Sequence, residues 1–421
     1  MKNFLVDSIL DLQNRLRAFG KELLMLLPQS ILLYTFVHSA LLSLSWVIRP
    51  LFLYTLGYSG FEFGLLGSIV LASSMVASLV GGWYVDRYSA LNLMYISIAL
   101  ESLSILLLSS GDKILIVLSA VVSGLGFNLN WNTFTILISR ISSEKKYEQA
   151  YSYVWSLSFI GNSVGAFMGW VPGILISYFH YPEREVYRST LAIVSLLVFS
   201  TLLLLRKISE PKGYPIAKEE GEQEKCCGWR ELPWNIVGRF IVVEALIGFG
   251  AALSIHNISY YFILKYGVGS GELGTMYGLN DLIMGLLMIL LPEASRRVGG
   301  ALRLYILLSS TSIPLLIAIT LVVNYYIAMA LYLVRTILMN ITHPIYSAFM
   351  MSIIPSSYRG RSLSIINISR NFTSIFARSL GGYLLDVDLE LPLRITSMVY
   401  SIDIILLVFL FKEHVFRKSA Q

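Results

Sequence analysis

Between Gln29 and Phe416 the chain divides into twelve apolar stretches, near 30–57, 60–84, 90–111, 114–141, 147–180, 186–205, 234–264, 271–294, 300–322, 325–354, 359–385 and 391–411. Roughly 20 apolar residues carry a helix across the hydrocarbon core, and a chain in lipid must pair every backbone N–H and C=O within itself. An all-α integral membrane protein with twelve transmembrane helices is therefore expected. Composition agrees, with 56% of the 421 residues hydrophobic and 14% charged, whereas soluble chains carry about a quarter charged residues.

Residues 1–28 do not read as a signal peptide. Leu5, Ile9, Leu12, Leu16, Phe19 and Leu23 recur at spacings of three and four among Asp11, Arg15, Lys21 and Glu22. That pattern fits either an amphipathic helix on the membrane surface or a cytosolic extension of the first span. Basic residues set the orientation. With the N-terminus inside, only Lys113, Arg184, Arg188, Lys265 and Arg394 fall in external loops. Arg140, Lys145, Lys146, Arg206, Lys207, Arg296, Arg297, Arg359, Arg361, Arg417 and Lys418 are among those inside. Both termini are expected in the cytoplasm and the chain in the cell membrane. The net charge of +6 then follows from topology, and no nucleic-acid partner is implied.

Residues 207–232, KISEPKGYPIAKEEGEQEKCCGWREL, are polar and read as a cytosolic linker between a six-helix bundle at 29–206 and a second at 233–412, with a tail at 413–421. Cys226 and Cys227 lie there without the C-x-x-C spacing of a redox or metal site, so unpaired thiols are expected. The halves resemble each other. Gly57-Tyr-Ser-Gly-Phe-Glu62-Phe-Gly64 answers Gly267-Val-Gly-Ser-Gly-Glu272-Leu-Gly274 at an offset of 210. Asp86-Arg87 falls on Arg296-Arg297 at the same offset. At 212, Ala150-Tyr-Ser152 meets Ser362-Leu-Ser364, Gly169 meets Gly381, and Asn128 meets Asn340. The order and small drift argue for duplication of a six-helix unit, a plan common among secondary transporters.

Gly82-x-x-x-Asp86-Arg87, at the end of the second span, resembles the loop motif G-x-x-x-D-R-x-G-R-R of the major facilitator superfamily, departing after Arg87 into Tyr88-Ser89-Ala90-Leu91. The resemblance covers the whole chain in span number, central loop and repeat. It implies two bundles alternating access around a central cavity. It also brings the eleventh span to the loop, where Arg359 and Arg361 would meet Asp86 as a cytoplasmic gate. Narrower motifs are incomplete. Ser123-Gly124-Leu-Gly126 resembles the end of the drug-antiporter motif R-x-x-Q-G-x-G with Ala120 in place of arginine, and Gly161, Gly165 and Gly169 form a small-residue ladder before Pro172-Gly173. Sugar-porter hallmarks are not recognisable.

Ionisable groups at bilayer depth cost about 2.5 kcal/mol or more unless they face protein or water. By depth, Asn128, Asn132, Asn162, Asp281, Asn340, His343, Arg370 and Asn371 lie near the midplane. The resemblance puts their helices around the cavity. Asn367, Asn371, Ser374 and Arg378 form one polar face of the eleventh span. Asn128, Asn132, Asn162, Asn340, His343, Arg370, Asn371 and Arg378 are the candidates for contacting a solute, against simple hydrogen bonding between helices. Asp281 and His343 are the candidates for carrying a proton. Glu101 and Asp403, on spans that the resemblance places at the periphery, are expected to pair structurally; Arg49 lies toward the outer third of the first span, and Arg239 and Glu244 in the inner part of the seventh. Arg335, Arg370 and Arg378 fit an anionic or zwitterionic solute, or equally a role balancing Asp281 and Glu244.

The expected function is secondary active transport of a small organic solute by alternating access, coupled to protons. The alternatives are an uncoupled facilitator, or a receptor, sensor or embedded enzyme on the same bundle. No P-loop, H-E-x-x-H or other catalytic motif is present. Neither a cofactor nor a metal is called for; the partners expected are the lipid bilayer, the solute and protons, with a monomer as the working unit.

Overall fold

The computed structural model describes residues 27–85, 89–141, 147–208, 232–287, 301–340, 343–355 and 358–413. Twelve helical segments follow one another: α1 Gln29–Thr55, α2 Gly60–Val85, α3 Ala90–Ser109, α4 Lys113–Ile141, α5 Tyr147–Phe167 resuming as Trp170–Ser177, and α6 Glu183–Ser200 with Leu202–Leu205. The second half runs α7 Trp234–Leu253 resuming as Ile258–Tyr266, α8 Ser270–Leu287, α9 Ala301–Leu321, α10 Tyr325–Asn340 resuming as His343–Ile353, α11 Arg359–Val387 and α12 Leu391–Leu410. No strand occurs among the described residues. Of the described helices nine are long and apolar enough to cross a membrane, namely α1 to α7, α9 and α12. The two long helices left out, α8 and α11, are those with Asn280 and Asp281, and with Asn367, Arg370, Asn371 and Arg378.

The repeat is visible in the packing. In the first half α1 packs on α5 and α6, α3 on α4 and α6, and α2 on α4. In the second, α7 packs on α11 and α12, α9 on α10 and α12, and α8 on α10. The two turns compared above also share their chemistry. Gly57 and Gly267 both take left-handed backbone, φ +78° and +62°, which glycine adopts without steric cost at a helix C-terminus. Glu62 Oε2 accepts from Ser59 N at 2.9 Å, and Glu272 Oε2 from Gly269 N at 3.1 Å. Each glutamate thus reaches back to cap the helix it begins.

Glycine sets how closely the helices approach. A Cβ on Gly165 of α5 would stand 1.9 Å from Ala40 O of α1, and one on Gly381 of α11 would stand 1.8 Å from Leu253 O of α7. With lipid offering no hydrophobic drive for helices to associate, such backbone contact supplies much of the attraction. The drug-antiporter-like stretch does the same work, with Gly124 against Val70 O of α2 and Gly126 against the backbone of Glu101 in α3.

The two halves meet where α2 faces α11 and α5 faces α8. At the end of the molecule carrying the Gly57 and Gly267 turns, Asp386 of α11 accepts from Gly60 N at 2.7 Å and from Phe61 N at 2.8 Å, covering the exposed N–H groups that open α2. Ser68 Oγ lies 2.7 Å from Ser379 Oγ and donates to Ile375 O. Across the other seam Ser163 donates to Gly278 O at 2.8 Å and Trp170 Nε1 to Thr275 Oγ1 at 2.9 Å. Tyr260 stacks on Phe63 at 4.6 Å and its hydroxyl donates to Tyr58 O.

Gly165→Val forces α5 off α1 and is expected to cost about 1–3 kcal/mol, read as a clear fall in melting temperature in detergent. Gly238→Ala in α7, where a Cβ meets nothing within 4 Å, leaves it unchanged or raised. Equal melting of both variants would contradict the contact.

Candidate functional site

A cavity of about 580 Å³ lies between the halves, lined by α1 to α5 on one side and by α7, α8, α10 and α11 on the other. That volume suits a drug-sized ligand. Its wall on the first half is aromatic: Trp46 lies 6.3 Å from Phe127, Phe127 6.1 Å from Trp131, and Trp131 4.2 Å from Trp155. On the other side α7 is broken. After Leu253 a single 3-10 turn, Ile255–Asn257, carries Ile255 and His256 to the cavity before the helix resumes. Irregular backbone at membrane depth is tolerated where protein or a cavity surrounds it. Asn257, fully buried, donates to Arg378 O at 3.0 Å and ties the break to α11.

Of the residues singled out in the sequence, Asn162 of α5, Asp281 of α8 and Arg378 of α11 line the cavity. Asp281 accepts a hydrogen bond from its neighbour Asn280 at 3.1 Å. Arg378 runs along α2, where a Cβ on Gly67 would meet its Nε. Asn128 and Asn132 face each other instead, Asn132 Nδ2 donating to Asn128 Oδ1 at 2.8 Å, and neither lines the cavity. Arg370 pairs with Glu244 at 3.1 Å, one of the two roles its charge allowed. Asn340 and Asn371 are exposed and lie away from the cavity lining. The polar face of α11 thus divides between exposed Asn367 and Asn371, and Ser374 and Arg378 turned toward protein. The His343 side chain lies outside the described residues, although its backbone starts the second piece of α10.

Of the gate candidates, Asp86 and Arg87 lie outside the described residues, and Gly82 is described as backbone within α2. Arg359 is exposed and donates from Nε to Ile354 O at 3.2 Å, while Arg361 is half-buried.

The most ordered polar group on the cavity wall was not singled out. His38 Nε2 of α1 is 3.0 Å from Glu101 Oε2 of α3, and Asn130 Nδ2 of α4 donates to the same oxygen at 3.0 Å. Asn130 Nδ2 is also 3.1 Å from Tyr34 OH, and the Tyr34 and His38 rings stack at 4.9 Å. All four residues are buried and line the cavity. Glu101 reaches the site from a helix expected at the periphery because Gly126 of α4 has no side chain, so the Glu101 Cγ passes directly over it. Arg49 of α1 also lines the cavity, its guanidinium 5.0 Å from the Trp46 ring centroid and Nη2 3.5 Å from Ser123 Oγ. The site therefore offers an aromatic wall, carboxylates and guanidinium groups to one enclosed solute.

A family model described as Major Facilitator Superfamily matches residues 31–378. Multidrug resistance protein 1 of Bacillus subtilis (strain 168) is 22% identical over 389 residues, spanning 90% of this chain and 95% of the relative. Among solved structures, a bacterial homologue of the iron transporter ferroportin in an inward-facing state superposes with a TM-score of 0.72 at 14% identity, covering 91% of this chain and 98% of that one. The nucleoside transporter NupG gives 0.71 at 14% identity over 91% and 98%, and the D-xylose–proton symporter 0.70 at 12% over 91% and 97%. At such identities these structures speak to fold alone. Family model, helix order and repeated packing lead to one assignment: the chain belongs to the major facilitator superfamily and is a multi-pass membrane transport protein.

Proposed function

We propose that the protein is a proton-coupled secondary transporter that moves a small organic solute through this cavity by rocking two six-helix bundles, 29–206 and 233–412, joined by the linker 207–232. The observation that carries the reading is the cavity itself, enclosed between the halves and walled by Asp281 and by the His38–Glu101 pair. A cavity carboxylate can take a proton from one side and release it to the other as access alternates. Among the described residues Asp281 takes a hydrogen bond only from the Asn280 amide, whereas Glu101 is held by His38 and Asn130, so Asp281 is assigned the proton and the pair a supporting role.

We place the Gly57 end outside and both termini in the cytoplasm, from the few basic residues in loops at that end. The contacts of Asp386, Ser68, Ser163 and Trp170 then form an outer closure, and the state is inward-facing. The ferroportin homologue, which shares the fold, was itself solved in an inward-facing state. Asp86 with Arg359 and Arg361 would close the opposite side in the other half of the cycle. The multidrug resistance relative favours export as the direction.

In proteoliposomes with an imposed pH gradient, the wild type is expected to drive at least one solute from a panel of organic anions, amino acids, sugars and cationic dyes. Asp281→Asn is expected to abolish accumulation against the gradient while leaving downhill flux. Wild-type flux indifferent to the pH gradient makes the protein a facilitator; no flux across the panel leaves a receptor role.

Losing the Asp386 cap on α2 is expected to cost the closed outer side about 1 kcal/mol, roughly fivefold in the opening equilibrium. With Cys226 and Cys227 replaced by serine and Ser68→Cys introduced, Asp386→Ala is expected to speed labelling of position 68 by a membrane-impermeant maleimide added outside. Equal rates with and without Asp386 would remove the latch.

A further inference from the structure

We propose that Arg49 and Arg378 form the anion-binding end of the cavity, and that the solute is an aromatic organic anion, a carboxylate or sulfonate. This rests on the transport reading above and names the substrate class of that site. The two arginines come from opposite halves, α1 and α11, and both line the cavity. Neither has an ion-pair partner among the described residues. The Nε of each is buried without a hydrogen-bond partner, and among the described residues the one hydrogen bond made by either guanidinium is the 3.5 Å contact from Arg49 to Ser123.

Three other cations in the spans have a carboxylate partner. Arg370 has Glu244 at 3.1 Å, His38 has Glu101 at 3.0 Å, and Lys265 has Glu390 at 2.6 Å. Arg335, whose Nε and Nη2 are also buried without a hydrogen-bond partner, stacks over Tyr400 at 5.5 Å, and it is its place away from the cavity that sets it apart from Arg49 and Arg378. The cavity's own carboxylates do not neutralise the arginines, since Glu101 is committed to His38 and Asn130, and among the described residues Asp281 takes its hydrogen bond from Asn280. His256, on the break in α7, shares the wall with Arg378 and adds no negative charge.

Two guanidinium groups on the wall of one cavity, in a medium of low dielectric, repel unless an anion lies between them. A carboxylate or sulfonate matches the planar fork of arginine and can accept from both. What surrounds that anchor selects the rest of the solute. Trp46 beneath Arg49 opens the ladder through Phe127 and Trp131 to Trp155, a surface for a ring system rather than for a hydroxylated sugar or bare phosphate. Because Arg378 lies against Gly67 beside the α2–α11 seam, an anion joining Arg378 to Arg49 also ties the second half to the first at the closed end.

The test uses the purified full chain and two probes of one shape, 2-naphthoate and the cation 2-naphthylmethylammonium, with binding followed by titration calorimetry and wild-type and variant melting temperatures recorded without probe. Saturable naphthoate binding that the cation does not displace is expected. Arg49→Gln and Arg378→Gln should each weaken it at least tenfold, and Arg49→Lys and Arg378→Lys by less, since charge remains and only the fork is lost. Should a glutamine variant fail to fold, the lysine variant and the comparison of the two probes decide. No saturable naphthoate binding, preference for the cation, or undiminished affinity in the glutamine variants would overturn the assignment. Proteoliposome flux of another solute with naphthoate inert would overturn it while leaving transport intact; naphthoate binding without any flux would do the reverse.

Discussion

Hydrocarbon does not tolerate an unpaired polar group, and the rest of this structure follows from that constraint. It makes each span a helix, because a helix pairs its own backbone. It lets the helices associate through backbone contact at glycine, as at Gly165 on Ala40 and Gly381 on Leu253, instead of through an apolar core that lipid would match. It also confines irregular backbone to the interior. The 3-10 turn at Ile255–Asn257 exists where Asn257 can reach Arg378 O and where the cavity adjoins it. Toward lipid the same helices present Leu196, Ile317, Ile405 and Phe409, exposed and apolar.

What the sequence made legible was whatever repeats or runs long. Twelve apolar stretches become twelve helical segments, and the glycine–glutamate turns at 57–64 and 267–274 take the same backbone and the same cap. Depth along a span marked Asp281 and Asn162, and the polar face of α11 marked Arg378, and these three stand on the cavity wall. Azimuth was not. Asn128 and Asn132 share a helix face as their spacing of four requires, but that face lets them satisfy each other. Glu101 reaches the cavity from α3 because a glycine 25 positions later leaves room, a fact about two helices that no single periodicity carries. Arg49 and Arg378 are far apart in the chain, and only the folded cavity shows that both lack the partner Arg370 finds in Glu244.

Among the described residues the ion pairs sort by the half they belong to. His38 and Glu101 both belong to the first, as do Lys113 and Glu62; Arg370 and Glu244, and Lys265 and Glu390, belong to the second. A buried ion pair pulled apart leaves an uncompensated charge and costs about 3–5 kcal/mol. For halves that rock against each other, a pair within one half travels intact, while a pair across the seam would have to be broken in every cycle. Among the described residues the hydrogen bonds that cross the seam inside the molecule are instead neutral: Ser68 to Ser379 and Ile375 O, Ser163 to Gly278 O, Trp170 to Thr275, and Tyr260 to Tyr58 O. Each is worth about 0.5–1.5 kcal/mol net, small enough to exchange for water or for a contact on the opposite face.

Asp386 is the exception that fits the same reasoning. Its carboxylate crosses the seam, but it does so at the exposed end of α11, against the N-terminus of α2, where water can replace either partner when the contact opens. Deeper in, the groups facing the seam without a fixed countercharge are Arg49 on one half and Arg378 on the other, with Asp281 beside only an amide. If the halves rock as proposed, charges can stand along that seam only where their partners come and go with the cycle. A solute and a proton do so; a side chain on the opposite half does not.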